Sequence, residues 1–103
     1  MEKIERCIDT IQKQIEGITN SFYQQKIQDG YQELISIIDN FTVLINIMEE
    51  NYPKSKFEDV NNNLMSILAN MMDAMNNKDT VLIADILNYD ISDILSVIKN
   101  DNY

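Results

Sequence analysis

Along the first two dozen residues, large apolar side chains recur with a strict four-three spacing: Ile4, Ile8, Ile11, Ile15, Ile18 and Phe22. Projected at ~100° per residue they form a narrow seam of the kind that packs helix on helix, with Cys7 on its flank. The spacing predicts a helix over about 2–25. Gly17 falls on its polar side, costing about 1 kcal/mol relative to alanine without forbidding the helix. Lys26 to Gly30 reads as a turn, with Asp29 as the candidate N-cap. A second helix is predicted over about 30–51, its stripe of Tyr31, Leu34, Ile35, Ile37, Ile38, Phe41, Leu44, Ile45, Met48 and Tyr52 spreading over about 180°. Pro53 ends it by pushing Tyr52 out of helical geometry, and residues 53–56 read as a loop.

The third helix, about 56–76, gathers Phe57, Val60, Leu64, Met65, Ile67, Leu68, Met71, Met72 and Met75 within about 160° of arc. Asn76 to Asp79 then supplies turn chemistry, and Asp79 or Thr80 caps a fourth helix over about 79–99. Its broad stripe runs from Ile83 to Ile98 and includes Leu87, Ile91, Leu95 and Val97, with fraying expected over 100–103. Short connections force antiparallel neighbours, and the stripes must meet. The fold predicted is therefore an all-α, up-down-up-down four-helix bundle in one domain, 1–103; two hairpins in a short solenoid are the weaker alternative. No segment sustains the two-residue alternation of a strand.

Composition changes this picture mainly by exclusion. Apolar residues make up 45% of the 103, enough for a core. A net charge of −9 repels phosphate backbones, which argues against nucleic acid as a partner, and no basic cluster is present to dock on anionic lipid. No run approaches the ~20 apolar residues of a membrane span, and MEKIERCIDT lacks the apolar core of a signal peptide. With no histidine, the usual general base and the commonest metal ligand are both missing. The lone Cys7 forms no internal disulfide and suits a reducing compartment. The expectation is a cytoplasmic protein starting at its own Met1, not an enzyme, with no cofactor, no metal and no small-molecule substrate.

Several residues still invite a sharper reading. A carboxylate-bridged metal pair needs Glu-x-x-His motifs, absent here, so Asp85, Asp90 and Asp93 read as a solvated acidic face. Asp90 nevertheless projects into the apolar arc between Val97 and Ile83. A buried unpaired carboxylate costs several kcal/mol, so it needs a rim position, a paired neighbour, or a role as a polar contact that fixes register or meets a partner. Met65, Met71, Met72 and Met75 fill a core at helical spacing, although methionine also suits adaptable grooves. Cys7 has no base beside it and reads as an inert thiol. Outside the stripes lie Val43 and Ile47 on the second helix and Val81, Leu82 and Tyr89 on the fourth; together they suggest a contiguous partner interface.

The stretch NNKDTVLIADILNYDI, Asn76 to Ile91, resembles the C-terminal signature NKDxVLxADxLxYD/E of a family of small, uncharacterised all-helical proteins of low-GC Gram-positive bacteria. Ala74, Lys78, Asp79, Val81, Leu82, Ala84, Asp85, Tyr89 and Asp90 carry the likeness, with the first seam and the turn before Gly30. The chain is more distantly similar to the small helical export chaperones of the flagellum. The resemblance implies a helical domain and supplies neither an activity nor binding residues. The function expected is a non-enzymatic protein–protein interaction module, adaptor or chaperone-like. The alternative is a self-assembling structural or regulatory homodimer without a separate client.

Overall fold

A computed structural model describes residues 2–100. Helix α1 runs Glu2–Tyr23, α2 Ile27–Asn51 and α3 Lys54–Asn76. A fourth helix begins as α4, Thr80–Asp85, passes through a π-helical segment, Ile86–Ile91, and ends as α5, Ser92–Asn100. Among the described residues there is no strand. The four rods pack as an all-α four-helix bundle measuring 41 × 23 × 19 Å. Its long dimension follows from helices of 22 to 25 residues rising ~1.5 Å each. Helix α1 lies closest to α2 and also packs on the fourth helix, while α3 packs on the fourth helix and more loosely on α2. The pairs α1–α3 and α2–fourth helix therefore stand at diagonal corners.

Every residue of the first seam, Ile4 to Phe22, is buried. It meets Leu34, Ile37, Phe41, Leu44 and Met48 of α2, Val60, Leu64, Met71 and Ala74 of α3, and Ile83 to Ile98 of the fourth helix. The stripes on the later helices are narrower than the sequence suggests. Ile35, Ile38, Met65, Met72 and Val97, all expected inside apolar arcs, are exposed. A rod at the corner of a bundle covers only the sector between its two neighbours, and an arc of about 180° exceeds that sector.

The turns explain the shifted boundaries. Gln25 adopts a left-handed conformation (φ 64°), and the Lys26 N–H bonds the Ser21 carbonyl at 2.8 Å. The chain has thus reversed before Asp29, which lies in the first turn of α2 instead of capping it. Its charge there still favours the helix dipole. Likewise α3 begins at Lys54, straight after Pro53, so the expected loop over 53–56 is mostly helix. The third connection follows the sequence reading: Asp79 Oδ1 accepts the Leu82 N–H at 3.0 Å and caps α4. Of the expected fraying at 100–103, residues 101–103 lie outside the described residues, and Asn100 is the last residue of α5.

Nothing in the apolar pattern signals the π-helical segment. Its wide turn advances each residue by less than an α-helix does, so the face beyond it rotates. Asp90 and Val97, at one edge of the uniform projection, turn outward, while Leu95 at the opposite edge is fully buried. The Ser92 hydroxyl donates to the Leu87 carbonyl, five residues back, at 3.0 Å and ties the widened turn.

Both glycines serve the α1–α2 contact, with opposite tolerance. A Cβ on Gly30 would sit 2.4 Å from Phe22 Cε1, inside the ring that closes the end of the seam. A Cβ on Gly17 would meet only the carboxylate tip of Glu33 at 3.3 Å, and that exposed side chain is free to swing away. Gly17 is half-buried toward α2, so it is not on an open polar side. Gly30→Ala is expected to destabilise by about 1–3 kcal/mol, and Gly17→Ala to stabilise by about 0.5–1 kcal/mol. Urea unfolding followed by circular dichroism checks both signs.

Candidate interaction surface

The five residues singled out from the sequence do not form one surface. Val43, Val81, Leu82 and Tyr89 are exposed, but Ile47 is half-buried and packs on the core. Helices two and four occupy diagonal corners, so Val43 and Ile47 are separated by the bundle from the other three. A strictly sequential four-helix order imposes this: only consecutive rods, and the first with the last, become neighbours. Val81 instead joins Tyr23 at a cleft of about 190 Å³, also lined by Phe22, Thr80, Ala84 and Asp85.

Asp90 is exposed and makes no hydrogen bond or ion pair with any described residue. It lines a groove of about 390 Å³ between α3 and the fourth helix, beside Asp93, Asn63 and Ser66, over a floor that includes Ile67 and Ile94. The rotation at the π-helical segment takes it out of the arc, so no buried carboxylate has to be compensated there. Asp85 opens onto the other cleft, so the acids of the fourth helix are not brought to one pocket. Among the described residues no three histidine, cysteine or acidic side chains gather as metal ligands would.

Cys7 is half-buried and its thiol donates to the Asn40 carbonyl at 3.6 Å. Burial raises its pKa above the ordinary thiol value. Beside it, Asn40 donates to Gln14 Oε1 at 2.7 Å, and Gln14 reaches Ser36 at 3.4 Å. These bonds fix which flank of α2 faces α1. Across the far end of the bundle, the Tyr52 hydroxyl donates to the Ile98 carbonyl at 3.4 Å.

The opposite flank of α2 carries a surface the sequence reading did not isolate. Ile35 and Ile38 are exposed there, and Met65 and Met72 are exposed on the flank of α3 turned toward them. Half-buried Ile45, Leu68 and Met75 lie beneath, packed on the core. Two polar atoms on the same flanks, Tyr31 Oη and Asn61 Oδ1, are buried without a hydrogen-bond partner; the Tyr31 ring packs edge-on to Phe22 with centroids 5.5 Å apart. The available signal was the breadth of the second and third stripes beside the narrowness of the first.

Fold and surface together describe a small all-α bundle whose most prominent features are uncovered apolar side chains. The chain belongs to the family described as "Domain of unknown function (DUF8042)", whose model matches residues 1–101. No curated protein and no solved structure matches it. Among the described residues no helix is long and apolar enough to cross a membrane.

Two side chains give direct checks. Asp90→Asn is expected to change stability by less than about 0.5 kcal/mol, because the carboxylate is exposed and unpaired. A larger loss in chemical denaturation would mean that Asp90 holds a structural contact. For Cys7, the raised pKa lowers the thiolate fraction, and the folded state favours the protonated thiol. Its contribution to stability is present below the unfolded pKa and lost as pH rises through the folded one. Iodoacetamide should therefore label the native protein more slowly than the urea-unfolded chain at the same pH, read by mass spectrometry.

Proposed function

We propose that this protein is a non-enzymatic helical interaction module, an adaptor or chaperone-like protein that binds by packing helix faces. The observation that carries this reading is the number of large apolar side chains left outside a completed core. Ile35 is 62% exposed, Met72 60%, Met65 43% and Ile38 38%. Scattered apolar residues are ordinary on a surface, but contiguous ones on adjacent helices mark partner sites. Acidic charge spread over the remaining surface keeps such a molecule dispersed until a partner covers the patch. A lone half-buried thiol suits the cytoplasm. The likeness of residues 76–91 to small helical proteins of low-GC Gram-positive bacteria, and the more distant one to flagellar export chaperones, fits a bacterial protein that works by helix packing.

Two measurements test this. Affinity capture from the native host should recover a second protein in stoichiometric amount, and light scattering should then show a complex larger than the free chain. Recovery of the chain alone as a stable dimer would transfer the function to the homodimer reading. A strict monomer that captures nothing would defeat both.

A further inference from the structure

The two uncovered flanks carry a regularity beyond their exposure. On α2, beside the buried stripe, runs Tyr31, Ile35, Ile38, Thr42 and Ile45; on α3 runs Asn61, Met65, Leu68, Met72 and Met75. Both follow the four-three spacing of the α1 seam, and both are free of charge in a chain of net charge −9. Such spacing matches a helix laid alongside, because side chains every ~3.5 residues accept knobs from a third rod. The helices are neighbours, and this is the loosest of the neighbouring contacts in the bundle. Two polar atoms there also lack partners: Tyr31 Oη and Asn61 Oδ1, at the first position of each seam, are buried without a hydrogen bond.

The charges around this strip decide what fits it. Asp39 is exposed four residues beyond Ile35, and Glu49 and Glu58 continue the two lines at the same spacing and close one end of the strip together with Lys54. A second copy of the chain would bring the same acids to the same strip and repel them. Resting on the reading of the chain as an interaction module, we infer that the α2–α3 face is the docking site for a basic amphipathic α-helix of another protein. The occupant lays an apolar stripe of about four turns along the two seams. Its flanking Lys and Arg reach those acids, and the unbranched Met65 and Met72 side chains adjust to its shape.

The test uses synthetic helical peptides of about four turns with leucine at four-three spacing. One carries lysine at the flanking positions and one glutamate, and binding to the full chain is measured by calorimetry. The lysine peptide should bind the native chain and weaken as salt is raised. It should lose at least about tenfold in affinity for the Ile35→Ser, Met72→Ser double variant, while Val81→Ser, Tyr89→Ser leaves it unchanged. The substituted residues are exposed, and an unshifted thermal midpoint confirms folding. Equal binding of the glutamate peptide overturns the inference, as does equal binding to the Ile35→Ser, Met72→Ser variant. So does a dimer of the native chain that this variant abolishes, since a second copy would then own the face. A host protein held equally by the native chain and the Ile35→Ser, Met72→Ser variant sinks this docking site and leaves the interaction-module reading standing. A native chain that binds neither the lysine peptide nor any host protein sinks both.

Discussion

A rod at the corner of a four-helix bundle covers only the sector that faces its neighbours, and this geometric limit governs the rest of the molecule. Helix α1 obeys it with one narrow line of five isoleucines and Phe22, all of it buried; off that line it carries the half-buried Cys7 and, at its last residue, the exposed Tyr23. Helices α2 and α3 exceed it. Each buries one line and carries a second beside it that the bundle has no fifth rod to cover. The surplus is a consequence of the closed core and not of loose folding, because Ile37 and Leu64, near neighbours of Ile35 and Met65, are fully enclosed.

The connections hold the surplus in place. The left-handed Gln25 turn and the close approach at Gly30 bring α2 tightly onto α1, so the flank bonded through Gln14, Ser36 and Asn40 is consumed. What remains free on α2 is the flank toward α3, and the turn at Tyr52 and Pro53 sets α3 beside it. At the opposite side, α3 closes on the fourth helix, where the π-helical segment re-aims the residues that follow. That rotation gives Leu95 to the core and Asp90 and Val97 to the groove.

Much of this architecture was legible in the residues. The seam of α1, the cap at Asp79, the stop at Pro53 and the number of helices follow from spacing and local chemistry, which act within a few residues of each other. The start of α2 was misplaced because Gly30 reads as turn chemistry, whereas it is there for the Phe22 ring, a contact between helices. Asp90 takes the rim position among the readings open to it, and the outward turn that puts it there is hidden from a uniform wheel, which assumes one helical pitch. The five off-stripe residues are not contiguous for a similar reason: residues off a stripe can be found along one helix, but which helices share an edge is decided by the bundle. Exposure of half a broad stripe is likewise a property of the neighbours and not of the helix that carries it.

The central claim is that each of α2 and α3 buries one apolar line and leaves the outer residues of the next, Ile35 and Ile38 on α2 and Met65 and Met72 on α3, open to water. Solvent paramagnetic relaxation on methyl-labelled isoleucine and methionine reads this directly, with adjacent residues as internal controls. Strong attenuation of the Ile35, Met65 and Met72 methyls beside protected Ile37, Met48 and Met71 is the result the account predicts. Equal protection of both sets in the free protein would contradict it.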